Sequence, residues 1–208
     1  MTAAKTENQV REIYDPELAP MVLKFHPVVE MTADQFFEFC QLNRDYRIER
    51  TASGEIIIMS PTGSETGNRN VKLIQQLANW TDRDGTGIAF DSSTGFILPN
   101  GATKSSDAAW MRLEKWNSLT REQQTKFAPI CPDFVVELRS PSDGLQSLQE
   151  KMQEYIDNGV SLGWLIDRNN RMVYIYRPDA EVEVLENPDQ IRGESVLPGF
   201  VLDLSTIW

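Results

Sequence analysis

The chain has 208 residues, 40% of them hydrophobic, and a formal net charge of −11 with a pI near 4.6. This is enough apolar material for a sizeable core in one domain, and no window is long and apolar enough for a membrane span. The acidic balance opposes nonspecific attraction to nucleic acid, so a nucleic-acid role requires a local basic site or a bound metal.

Residues 1–27 hold Pro16, Pro20 and Pro27 without a clear hydrophobic period, and read as an extended arm ahead of a single domain over 28–208. The first residues show no apolar signal-peptide core, which makes the cytoplasm the expected compartment. Cys40 and Cys131 lie in apolar surroundings and are expected to be reduced. Thr32 and Gln35 have capping-box spacing before a helix carrying Phe36, Phe37, Phe39 and Cys40. Tyr46–Arg50 and Glu55–Met59 read as two strands joined at Ser53-Gly54. A long helix is predicted over 64–81, with Val71, Ile74, Leu77 and Ala78 on one face, widened by Leu73 and Trp80. Glu65 falls in its first turn, where a carboxylate suits the helix dipole. Strands are expected over 88–90, 94–98 and 104–111, and a helical excursion over 112–130 with Thr120 as its N-cap.

The run from Phe134 to Leu138 reads as a buried strand with one carboxylate, Glu137, inside it. Alternation points Val135, Glu137 and Arg139 one way and Phe134, Val136 and Leu138 the other. A lone buried carboxylate costs several kcal/mol or more unless a cation or hydrogen bonds compensate. Arg139 and Lys151 are the nearby cations. Lys151 flanks the stripe of Leu145, Leu148, Met152, Tyr155 and Ile156 on a helix closed by Asn158-Gly159, from which its stem can reach back over the strand. Asp107 is a second acid inside an apolar strand, where aspartate is unfavourable. Strands over 162–167 and 172–177 turn at Asn169-Asn170; further strands are expected over 182–185 and 194–196, and the ending PGFVLDLSTIW should dock on the body.

The single histidine, His26, excludes a histidine zinc cluster and disfavours a Ser-His-Asp triad. No CxxC, GxxxxGK[ST] or GxGxxG occurs. Carboxylates and a lysine remain, a set suited to a hard cation and to metal-assisted hydrolysis.

An Asp-bearing strand followed by a Glu-x-basic strand and then a helix resembles the PD-(D/E)XK nuclease superfamily. The phrases IIIMSPTGSETGNRN, SSDAAW, PDFVVELRSPSD and EKMQEYIDNGVSLGWLID resemble, in order, the Uma family of restriction endonucleases over residues 28–204. The resemblance implies an α/β fold with a restriction-endonuclease-like core, a mixed sheet flanked by helices. It implies a DNA endonuclease using Mg2+ or Mn2+, often as a homodimer, with a non-catalytic binding or scaffold protein as the alternative. Asp107 and Glu137 match the superfamily's acids, and the Leu138 carbonyl would be the third protein ligand of the metal. Glu65 lies where members often place an extra acid. The chain departs from the pattern at Ser106, where the superfamily has proline, and at Arg139, where it has lysine. The lysine role points instead to Lys151, as base or charge stabiliser, with Arg139 left to clamp a phosphate.

Overall fold

In the computed structural model, residues 20–208 are described; most of the expected arm over 1–27 lies outside them. Immediately after Pro20 the chain forms a strand, Met21–Leu23 (β1), and Thr32 and Gln35 form the capping box that opens Ala33–Leu42 (α1). The hairpin Arg47–Arg50 (β2) and Ile56–Met59 (β3) leads into Ser64–Asp84 (α2), a turn longer than its apolar pattern indicated. Gly85, at φ 71°, ends that helix in the left-handed conformation glycine adopts without strain. Gly87–Asp91 (β4), Phe96–Ile97 (β5), Thr103–Lys104 (β6) and Ala108–Arg112 (β7) come next. Then come the short helices Leu113–Asn117 (α3) and Arg121–Thr125 (α4), the second capped by Thr120 as expected. Phe134–Leu138 (β8), Leu145–Asp157 (α5), Leu162–Asp167 (β9), Met172–Tyr176 (β10), Glu183–Glu186 (β11), Gln190–Arg192 (β12) and Val201–Asp203 (β13) complete the chain.

The fold is mixed α/β. A six-stranded sheet runs β11-β10-β9-β8-β7-β4, with β8 and β9 parallel and joined through α5; a five-stranded antiparallel sheet runs β1-β3-β2-β6-β5; β12 and β13 form a separate pair. The alternation read in β8 is observed. Phe134, Val136 and Leu138 pack with Leu73, Leu77 and Trp80 of α2 and with Phe200, Leu202, Leu204 and Ile207 of the chain's end. Val135 faces the other layer, with Met152 and Tyr155 of α5. Each large apolar side chain buried this completely contributes roughly 1.5–3 kcal/mol. The two layers therefore fix β8 from both sides and fix the direction in which Glu137 points.

Two expected strands differ. The run over 104–111 is broken, because the chain leaves one sheet at Lys104 and enters the other at Ala108. Ser105, Ser106 and Asp107 form the crossing, and Ser106 Oγ donates to the Ala108 carbonyl at 3.0 Å. The strand expected over 194–196 is a turn, with Glu194 at φ 53°. Pairing shifts earlier, to Gln190–Arg192, because Gly193 packs so tightly that an added Cβ would sit 2.6 Å from Leu197 Cβ. Cys40 and Cys131 are free thiols, and burial pushes them up to about 11 and about 12. Among the described residues no helix is long and apolar enough to cross a membrane.

Candidate active site

The two sheets meet at the 105–107 crossing, and the charged residues collect there. β7 and β8 pair with Ala108 opposite Val136; one step further along the same register sets Asp107 opposite Glu137. Asp107 Oδ2 accepts the Leu138 backbone N–H at 2.8 Å, tying the two acid-bearing segments together. Asp107 Oδ1 accepts from Asn70 Nδ2 of α2 at 3.3 Å and from Arg47 Nη1 of β2 at 3.4 Å. Lys151, one residue before Met152 on α5, reaches back as its place on the stripe predicted. Its ammonium lies 2.8 Å from Glu137 Oε1 and donates at 2.9 Å to Glu49 Oε1 and to the Ser105 carbonyl. The structure thus brings Asp107, Glu137 and Lys151 to one place.

Three residues that the sequence pattern did not single out complete the cluster. Glu49, 3% exposed on β2, accepts the Ser105 N–H at 3.1 Å and lies 3.9 Å from Lys104 Nζ. Arg47, two residues earlier on the same strand, donates to the Ser105 carbonyl at 2.7 Å. Asn70 comes from the second turn of α2. The signal for Glu49 was the one used for Glu137, an acid inside a strand beside apolar residues. Arg47 and Arg50 on the same short strand masked it by making the stretch look like a solvated edge.

One ammonium serves two carboxylates, and they share it unequally. Burial alone would raise the Glu49 carboxyl, but Lys151, Lys104 and Arg47 overcome this and hold it below the usual carboxylate range. Burial pushes Glu137 up to about 7; Lys151 opposes the rise and Asp107 adds to it. The neighbouring cations thus outweigh burial at Glu49 but not at Glu137, whose charged form stays disfavoured. Its ion pair with Lys151 is not aligned as a hydrogen bond: Glu137 Oε1 is buried with no hydrogen-bond partner. Tyr155 Oη, Asn70 Oδ1 and Arg47 Nε share that condition. A buried oxygen left this way costs about 1–3 kcal/mol, more when charged. Hard carboxylate oxygens are what a divalent cation of the Mg2+ class binds, so Asp107 and Glu137 fit such an ion by donor chemistry. Among the described residues no three of His, Cys, Asp and Glu are grouped so as to hold one.

Three expectations change. Burial opposes the Lys151 charge, but Glu137 and Glu49 outweigh it and hold the ammonium above its ordinary range, which favours the charge-stabiliser half of the expected role over the base. Arg139 lies one residue past β8 with its side chain 4% exposed. It donates to Asp167 Oδ2 at 2.9 Å and to the Asp143 carbonyl at 3.0 Å, bracing β8 to β9 and to the loop before α5. Glu65 is in the first turn of α2, exposed and bound by Arg69 at 2.7 Å and Arg168 at 3.3 Å, which hold its carboxyl below the usual range. Its bonds run to these arginines and not to Asp107 or Glu137.

Among solved structures the chain is similar to a crystal structure described as a putative nuclease belonging to DUF820 from Anabaena variabilis ATCC 29413. The TM-score is 0.67 at 20% identity, over 86% of this chain and 97% of that one, a likeness of fold. No curated protein matches. The profile of the family described as Uma2, putative restriction endonuclease, matches residues 33–205, and the chain belongs to that family.

Proposed function

We propose that this chain is a divalent-metal-dependent DNA endonuclease that hydrolyses phosphodiester bonds at Asp107, Glu137 and Lys151. The observation that carries the reading is Glu137 Oε1, buried beside Asp107 with the Lys151 ammonium as its contact and no well-aligned hydrogen bond. Family membership supports it. Asp107, Glu137 and the Leu138 carbonyl would hold Mg2+ or Mn2+, which when bound supplies neutralisation of phosphate charge and a more acidic water.

The chain's own residues then have separable parts. Glu49 keeps the Lys151 ammonium in place whichever partner Glu137 takes. Lys151, kept protonated, donates to a phosphoryl oxygen as charge builds there, the electrostatic assistance that dominates phosphoryl transfer. Asn70 and the Leu138 N–H orient the Asp107 carboxylate. The same reading puts a homodimer on its DNA substrate in the cytoplasm, since cutting both strands calls for two sites.

A second reading, a binding or scaffold protein on the same fold, is favoured by the net charge of −11 and by ion pairing that already engages Lys151. Incubating supercoiled plasmid with the full chain and Mg2+ or Mn2+, beside Glu137→Ala, separates the two. The endonuclease reading expects metal-dependent nicking that the Glu137→Ala variant lacks. Intact plasmid with both proteins, or equal nicking by both, would favour the scaffold.

A further inference from the structure

We propose that Arg47 is a built-in counter-cation: its guanidinium holds Asp107 Oδ1 while no divalent ion is bound, gives it up when one binds, and so sets how much metal the site needs. The inference rests on the reading above that Asp107 and Glu137 bind a divalent cation.

The two oxygens of Asp107 are held differently. Oδ2 takes a 2.8 Å bond from the Leu138 N–H, part of the strand pairing at the crossing. Oδ1 has only the long contacts, 3.3 Å from Asn70 and 3.4 Å from Arg47, at the weak end of hydrogen bonding. Oδ1 can therefore exchange partners while Oδ2 keeps the carboxylate in place. Arg47 is the partner able to leave. Its side chain is 32% exposed against 14% for Lys151, so there is a solvent side to move toward. Its Nε is buried without a partner, so no bond there resists the movement. Arg47 has one strong bond, from Nη2 to the Ser105 carbonyl at 2.7 Å, which it need not give up for Nη1 to leave Oδ1, whereas Lys151 is held at 2.9 Å by both Glu49 and that carbonyl.

Charge explains why the two cations exclude each other. Burial opposes the Arg47 charge, and Asp107, Glu137 and Glu49 sustain it. Arg47 thus occupies the potential that a divalent ion would use. A guanidinium brings one charge and a divalent ion two, so the ion wins at sufficient concentration, against Coulomb repulsion that Arg47 adds while it stays close.

Calorimetric titration of the full chain with MnCl2, without DNA, tests this. The Arg47→Gln variant is expected to bind Mn2+ about tenfold tighter than wild type, and Arg47→Lys, which keeps the charge, within about threefold of wild type. A second measurement needs no variant: during Mg2+ titration of the wild-type chain, the Arg47 Nε–Hε NMR signal should move and its guanidinium rotation quicken, saturating together with ion binding. Equal or weaker Mn2+ binding by folded Arg47→Gln, or an Arg47 signal that stays still while the wild type binds its ion, overturns the inference and leaves the metal reading standing. A wild-type chain that binds neither ion overturns both.

Discussion

Two ion pairs start two residues apart at the end of β8, and they are built to opposite standards. Arg139 and Asp167 are 4% and 0% exposed and saturated: Asp167 accepts from Arg139, from Asn170 Nδ2 at 2.8 Å and from the Asn169 N–H at 3.1 Å, while Arg139 also donates to the Asp143 carbonyl. Glu137 is as deeply buried and Lys151 less so, its side chain 14% exposed, yet Glu137 Oε1 has only the ion pair with Lys151 and its carboxyl is pushed up to about 7. Burial alone does not separate a brace from a site. A saturated pair has little left to offer a ligand, whereas an under-satisfied one gains from any cation that completes it.

The largest expected effect breaks the brace. Arg139→Met leaves Asp167 charged and buried, and should cost about 3–5 kcal/mol in urea unfolding. A loss under about 1 kcal/mol would put Arg139 outside the brace and reopen its role toward phosphate. Next comes chemistry. Lys151→Met should lower cleavage about 100-fold under saturating metal, and adding Glu49→Gln to it should lower cleavage little further, because Glu49 acts through Lys151. Independent, multiplying losses in the double variant would disconnect the two residues.

The smallest effect has the opposite sign. Glu137 has its folded carboxyl at about 7 against an ordinary 4.5, so between those values the folded chain binds more protons than the unfolded one. Stability from this group falls as pH rises through that window and stays low above it. Glu137→Gln removes the loss. In chelator it should be more stable than wild type by about 1–3 kcal/mol at pH 8, with the advantage shrinking as pH approaches 4.5. A variant less stable than wild type at pH 8 would mean that Glu137 is already compensated, like Asp167.

The sequence made the β8–α5–β9 unit legible because its signals are local: a continuous apolar run, a helical stripe and a glycine stop. Asp107 and Glu137 were legible as acids out of place in apolar strands, and Lys151 by its position on the α5 stripe. The break between β6 and β7 was not, because residues 103–112 keep strand character throughout and only the sheets on either side show where the chain changes partners. Arg47 and Asn70 escaped for the same reason, and Glu49 because two arginines on its strand masked a signal like that of Glu137. Each is 37 or more residues from the acid or lysine it binds, and a local pattern carries no record of such pairings. Against burial, the Lys151 ammonium is held up by Glu137 and then by Glu49, and the Glu49 part of that pairing is not visible in the local sequence.

The central claim is that the under-satisfied pair, not the saturated one, is a cation site, and stability linkage tests it most directly. Unfolding of wild type and Glu137→Gln is followed at pH 7.5 while Mn2+ is raised from zero. A ligand that binds only the folded chain stabilises it by RT ln(1 + [L]/Kd), about 2.7 kcal/mol at 100 times Kd. Wild type should show that rise, and Glu137→Gln at most a small fraction of it. Equal stabilisation of both proteins, or none of either, would contradict the claim.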